Sequence, residues 1–362
     1  MIRNSSGLAS ALLIGELSDA TPFLSVVVKG TFELRRGTGP ARLRPTEAQL
    51  PIFDSDQPYD PKNPAGALKF ESDRVPFKPR TDIVLVGQAY APLGRPVKSL
   101  DVQITVGEKR KVLRVFGDRQ WSFSAERDPA PVVAGPVEFR SMPLTYERAF
   151  GGIDKLAGTR PDEPQFRPWC ERNFLGRGFC GARTTASIHG RALPNVEDPL
   201  DLVRAWDSRP SPAGCGFFPR NSRPRSDFFG TFGERWQAER APRMPDDFRF
   251  DCYNGADPSL QVAPYLVGNE PVLLSNVSAT EAHLETTLPC LEPVVAVTGA
   301  AGFQELTARL DTVVFIPDES IFYQVWRATI AISKPDASDI REVRLATTAL
   351  ARRDPFNSGS ST

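Results

Sequence analysis

Three acidic side chains, Glu147, Glu197 and Asp198, and one histidine, His189, are the residues whose types and grouping could carry acid–base chemistry in this chain. Two carboxyl groups flanking a bond can serve as general acid and general base, or as acid and nucleophile, the arrangement of glycoside hydrolysis. A histidine can move a proton near neutral pH. Glu147 lies in TYERAFGG (Thr145–Gly152), Glu197 and Asp198 in LPNVEDP (Leu193–Pro199), and His189 in ASIHGRALPN just before it. An enzyme built on Glu147, Glu197 and His189, a hydrolase or a carbohydrate-active protein, is therefore one reading. The chain has only 2 histidines, and the other, His283, falls in the strand-like AHLETTLP, where it reads as a surface or satisfied residue. A Ser–His–Asp triad would need a nucleophile on a strained turn such as G-x-S-x-G, and that motif is missing. The 5 cysteines (Cys170, Cys180, Cys215, Cys252 and Cys290) form no C-x-x-C pair. They read as reduced thiols rather than a zinc site or a disulfide framework. The Gly-rich stretches lack the frame of a phosphate loop, so neither a metal nor a cofactor is expected.

Read as structure, the same segments say something else. TYERAFGG, NFLGRGF (Asn173–Phe179) and LPNVEDP mix glycines with charged and aromatic residues. Gly151, Gly152, Gly176 and Gly178 allow positive φ or close backbone approach, with Phe150 and Phe179 to pack beside them. Glu147, Arg148, Arg177 and Glu197 can make charge-assisted hydrogen bonds to loops that have no ladder. Asn195 after Pro194 suits a side-chain-to-backbone turn. The expectation is that Tyr146–Gly152, Asn173–Phe179 and Leu193–Glu197 meet in one pinned irregular core.

The elements that would position this core are mostly strands. FLSVVVKGTFEL (Phe23–Leu34) is rich in β-branched and aromatic residues, with Val28, Gly30, Phe32 and Leu34 on one side and Lys29, Thr31 and Glu33 on the other. Asp82–Tyr90, Val97–Gly107 and Lys109–Gly117 follow, the last two joined as a hairpin by GEKR. Between them Phe53–Asp82 is a long Pro-, Asp- and Asn-rich loop, of a length that is usually functional or mobile. From Tyr146 to Asp257 strand signals fade, Trp, Phe, Pro, Gly and Arg dominate, and no lysine occurs between Lys155 and Lys334. Strand patterns return in Asp247–Asn254, Pro271–Val277, Ala282–Pro289, Pro293–Gly299, Ala308–Pro317 and Ser320–Ile332. These signals predict a mainly β fold: a β-sandwich or barrel-like lobes of mostly antiparallel strands, long irregular Pro/Gly/aromatic-rich loops and few short helices. At 362 residues, one elaborated domain and two β-rich lobes are both open, since single cores stop growing near ~250–300 residues. The lobed reading takes residues 1–145 as an N-terminal lobe, 146–257 as the motif-bearing segment, 258–350 as a C-terminal lobe and 351–362 as a disordered tail.

Charge narrows the partners. Lys+Arg and Asp+Glu both number 44, a formal net charge of zero, which argues against nucleic acid or an anionic membrane as the main partner. LASALLIG (Leu8–Gly15) is too short and too soon ended by Glu16 for a signal peptide and reads as a first strand. No apolar run approaches the ~20 residues of a membrane span. A cytoplasmic protein without membrane insertion is expected.

TYERAFGG, NFLGRGF and LPNVEDP, in this order, resemble a bacterial family catalogued as a domain of unknown function and associated with type VI secretion effectors. KPRTDIVLVGQAYAP (Lys78–Pro92), VGEKRKVLRVFGDRQW (Val106–Trp121), DFFGTFGERWQ (Asp227–Gln237) and RMPDDFRFDCYNGADP (Arg243–Pro258) carry the resemblance from about Phe23 to Val325. Members usually have Asn-Pro before Gly-Arg-Gly, whereas Asn173 is followed here by Phe174 and Leu175. The resemblance implies a non-enzymatic adaptor or chaperone that binds a toxic effector, often at a PAAR-like tip, and helps load it onto the VgrG spike. A structural part of the secretion particle is the third reading. Aromatic and arginine side chains are the usual interface anchors. Phe217, Phe218 and Arg220 in CGFFPR, and Phe228 and Phe229 in RSDFFGTF, are the expected ones.

Overall fold

β-Branched side chains crowd the helix backbone and suit a pleated one, and the Val-rich Pro22–Glu33 stretch is the longest strand of the molecule. A computed structural model describes residues 2–17, 19–35, 37, 39–123, 130–158, 167–182 and 184–349. The expected tail, 351–362, lies outside the described residues.

Pro22–Glu33 is the strand next to one edge of a six-stranded sheet with the order Gln261–Val262, Thr81–Leu85, Arg309–Ile316, Ile321–Ala331, Pro22–Glu33, Ala9–Glu16. All neighbours are antiparallel except Thr81–Leu85 and Arg309–Ile316, which run parallel. A second, wholly antiparallel sheet has the order Val196–Glu197, Lys109–Phe116, Ser99–Val106, Pro271–Ser275, His283–Thr287. A third takes Ile2–Asn4, Ile340–Ala349, Leu291–Gly299 and Gly302–Thr307. Apolar side chains of all three share one hydrophobic core, in which Val28, Ile83 and Val313 of the first meet Ile104, Leu113 and Leu274 of the second and Val295 and Val343 of the third. The fold is mainly β with a few short helices, and among the described residues no sheet closes into a barrel.

The first two sheets draw strands from both ends of the chain, so residues 1–145 and 258–350 are interleaved rather than set side by side. Asp247–Asn254, expected as a strand, forms instead a 3-10 turn at Phe250–Tyr253. Its physical reason is Asp82, a buried carboxylate that accepts hydrogen bonds from the backbone N–H of Gly255 and Ala256 and from Asn254 Nδ2. The chain there wraps around one acceptor instead of entering a ladder.

Pro22–Glu33 also departs from its two-faced reading: Lys29 and Thr31 are as buried as Val28 and Phe32. The long loop covers the polar face. Lys29 Nζ lies against Asp73, donates to Pro51 O at 3.1 Å and sits 3.5 Å from the centre of the Phe53 ring. Burial pushes this amine down to about 8, against the pull of Asp73.

Candidate functional site

The motif segments carry few apolar positions, so their backbone groups need partners other than a hydrophobic ladder. Phe150–Gly151 and Arg177–Gly178 form a two-residue parallel pair, and Ala149 bridges Val196. Val196–Glu197 is the edge of the five-stranded sheet, paired to Val115 and Arg114. The three segments therefore meet, and the sheet edge holds them.

Side chains do the rest. Asn173, fully buried, donates from Nδ2 to Tyr146 O (2.8 Å) and Phe150 O (3.1 Å) while its Oδ1 accepts from Leu175 N–H. Arg177 donates to Glu147 O (3.0 Å) and, with Arg148, to Asn195 Oδ1 (3.2 and 3.1 Å). Asn195 Nδ2 donates to Phe116 O and Asp118 Oδ1, which ties the cluster to the neighbouring strand. Gly152 has φ +93°, and a Cβ there would stand 2.3 Å from Gly176 O; a Cβ on Gly176 would meet Ala149 O at 2.6 Å. Gly178 packs on Pro194, and Leu193, Phe150 and Phe179 fill a small apolar cluster with Trp121 and Ile188 beneath.

Glu147, Glu197 and His189 each have separate partners. Glu147 accepts a hydrogen bond from Ala67 N–H (3.0 Å) and fastens the long loop to the motif core. Glu197 is buried, pairs with Arg119 and accepts from Val203 N–H (2.7 Å). Burial raises its carboxyl above the ordinary range despite Arg119. His189 is exposed at the end of the short helix Thr185–Ile188, its ring 6.2 Å from that of Phe123. All three acid–base candidates thus hold or border loops. Among the described residues no group of three or more His, Cys, Asp or Glu side chains is placed to hold a metal ion, and the five cysteines are unpaired.

Sequence reasoning missed a second buried carboxylate. Asp154 accepts from Gly181 and Ala182 N–H, from Ser187 Oγ (2.7 Å) and from Arg191 (2.6 Å). Burial alone would raise it, but Ser187, Gly181 and Arg191 outweigh that and hold it below the usual aspartate range. The signal available was an acidic residue two positions after the glycine pair, with an arginine just ahead of LPNVEDP. A third pin joins Arg225 to Glu71 through two hydrogen bonds, both side chains buried.

Two of the five expected anchors are packed inside, one of them under the Arg225 pin. Phe217 and Phe218 are buried, 5% exposed each, which corrects their reading as exposed anchors. Phe217 belongs to the main core, and Phe218 meets the Tyr146 ring edge-on at 5.1 Å while its carbonyl accepts from Arg225. Arg220 is half-buried in ion pairs with Asp56 and Glu71. Phe228, half-buried, lies under the Arg249 guanidinium, and Phe229 is half-buried too.

Two open clefts flank the motif core, one on either side of a ridge made by Arg172, Arg223 and Pro224. The first, about 830 Å³, is lined by Trp169, Phe179, Trp206 and Arg209. The second, about 670 Å³, has Lys111, Phe218 and Asp257 in its lining and Leu200 at its lip, a leucine 92% exposed. Asp257 accepts from the buried Tyr146 hydroxyl (3.1 Å) and pairs with Lys111 (2.7 Å), so the first motif also builds part of this lining. Its carboxyl, which burial would raise, is held low by Lys111 and Ser259. The arrangement offers aromatic faces and guanidinium groups to a ligand, beside the carboxylates Glu171, Asp207 and Asp227 in the first cleft and Asp198 and Asp257 in the second.

No curated protein and no solved structure matches this chain. Residues 19–327 match the family model described as an uncharacterized protein conserved in bacteria (DUF2169), a span that includes every motif of the pinned core and both clefts, and the chain belongs to that family.

Proposed function

We propose that this protein is a non-enzymatic adaptor acting from the cytoplasmic side of a type VI secretion machine. It binds a toxic effector, at the effector's PAAR-like region, and helps load it onto the VgrG spike. The observation that carries the reading is the first cleft, where Trp169, Trp206, Arg172 and Arg209, of the residue types that usually anchor protein interfaces, line an open surface, while Glu147 and Glu197 are spent on holding backbone. The ordered motifs add the association with secretion effectors. A rigid scaffold presenting clefts suits a protein that holds cargo without altering it.

A stable cargo complex would bury ~1,200–2,000 Å², more than either cleft supplies, so the cargo extends over the surrounding loops. Deleting the gene should abolish secretion of one effector while the machine still fires, and the purified protein should retain that effector in a pull-down without changing its mass. Normal secretion of every effector in the deletion strain would end this reading.

A further inference from the structure

Two guanidiniums that line the first cleft, Arg172 and Arg209, differ from that of Arg223 beside them. Arg223 is neutralised by Glu171 and Asp227, both at 3.1 Å. Among the described residues Arg172 has no carboxylate partner: it donates to Ser211 Oγ (3.1 Å) and to the carbonyls of Arg209 (2.7 Å) and Pro210 (3.0 Å). Arg209 likewise donates only to carbonyls, those of Ser208 (2.9 Å) and Cys180 (2.6 Å), with its plane 4.8 Å over the Phe179 ring. Elsewhere in the irregular region Arg225 faces Glu71 and Arg191 faces Asp154, while Arg177, away from the cleft lining, donates to a carbonyl and an amide oxygen. Here neutral acceptors fix the orientation of two cations and leave their charge unmatched. Trp169 and Trp206 flank them, half-buried and open on one face.

We infer that this cleft binds an extended acidic peptide segment of the partner, with one or two Asp or Glu carboxylates on Arg172 and Arg209 and an aromatic or aliphatic neighbour against Trp206 and Trp169. Pre-oriented guanidiniums make charge-assisted, two-pronged hydrogen bonds to carboxylates, and little ordering entropy remains to be lost. A nucleic-acid strand is disfavoured because Glu171, Asp207 and Asp227 share the same lining. A chain with a charge on every unit would meet them, whereas a peptide can place its carboxylates at two points only. The inference rests on the adaptor reading for its biology, but its chemistry is testable without the secretion machine.

The probe is a random dodecapeptide library displayed on phage, panned against the full-length protein. Enriched sequences should carry at least two Asp or Glu residues beside an aromatic or aliphatic one. A fluorescein-labelled copy of the most enriched peptide should bind at least tenfold more weakly to Arg209→Glu and to Arg172→Glu, and less weakly to Arg172→Lys, which keeps the charge but not the fork. Arg209 is exposed, so Arg209→Glu should lower the melting temperature less than Arg172→Glu and report binding even if Arg172→Glu fails to fold. Binding should also weaken as salt rises. No enrichment, a basic or uncharged consensus, or affinities unmoved by Arg209→Glu would overturn the inference. In the effector pull-down, retention by the Arg172→Glu/Arg209→Glu variant would also overturn it while leaving the adaptor reading intact. Failure of the wild-type protein to retain any effector would count against the adaptor reading alone.

Discussion

The sheets and the motif core are held by different means. In the six-stranded sheet, Pro22–Glu33 runs in unbroken register with Ile321–Ala331, and Val27, Val28, Val313 and Phe315 are fully buried. Many small, similar contributions stabilise it, so no single one dominates. Among the described residues, the region from Thr145 to Asp257 has only two-residue strands and short helical turns. Its order is concentrated in a handful of polar side chains, Asn173, Asn195, Asp154, Arg225 and Asp257, each serving several backbone groups or a buried opposite charge. The lesson is that a loop-rich region can be as fixed as a sheet, but its stability is brittle: it fails at points.

The harshest way to break that contrast is Arg225→Met, which takes from the buried Glu71 both hydrogen bonds of its close partner and leaves it the longer contact with Arg220. Removing one partner of such a pair costs ~3–5 kcal/mol, measurable as a shift in the urea midpoint. Replacing both partners, Glu71→Leu with Arg225→Met, should recover much of the loss. A single-variant loss below ~1 kcal/mol would deny the pair its role.

Gly152→Val should cost ~1–3 kcal/mol, from forced positive φ and collision with Gly176 O. Hydrogen exchange would place the damage: faster exchange around Cys170, Arg177 and Phe179, with the Ile321–Ala331 amides unchanged. If the sheet amides loosen equally, the two regions are not separable.

Acid sharpens the comparison further. Asp154, Asp257 and Glu71 all titrate below their ordinary values when folded, in each case because hydrogen bonds and a neighbouring cation outweigh burial. Their stabilisation is full above the unfolded values near 3.8 and 4.5 and is lost as pH falls through the lower folded ones. Glu197 has the opposite sign, its folded value being raised. Stability should therefore fall steeply below about pH 4, and the fall should be shallower in Asp154→Asn. Urea midpoints of both proteins between pH 7 and pH 3 would show it, and identical slopes would refute the Asp154 assignment.

The smallest effect belongs to the sheets. Ile104→Val removes one methylene from the core and should cost ~0.5–1.5 kcal/mol, with no change in the acid limb.

The two regions were also unequally legible. Strands such as Arg309–Ile316 and Ile321–Ala331 announce themselves through β-branched runs and intervening turns. Gly302–Thr307 is mostly exposed and has no apolar run to see. Ile340–Ala349 was overlooked although Val343 and Leu345 alternate with Arg344. The sidedness of Pro22–Glu33 was misleading at Lys29 because its cover arrives from residues 51–73, a tertiary fact with no local signature. In the motif core, glycines among charges signalled convergence. The pairing of each cation did not show, since ion pairs such as Arg225 with Glu71 span 154 positions of chain. The burial of Phe217 and Phe218 was equally invisible: aromatic content alone does not distinguish an anchor from a core residue. Trp206 and Arg209 lay within a segment whose Trp and Arg enrichment was evident, but only the fold sets them beside Arg172.

The parallel neighbour of Thr81–Leu85 has a consequence for synthesis. That strand is flanked in the finished sheet by Arg309–Ile316 and by Gln261–Val262, and Pro22–Glu33 takes Ile321–Ala331 as its second neighbour. At translation speeds of ~5–20 residues per second, these strands emerge on the order of ten seconds or more before the segments that complete them. During that interval the nascent chain carries an unpaired, Val-rich edge, the surface to which chaperones and aggregating neighbours are drawn.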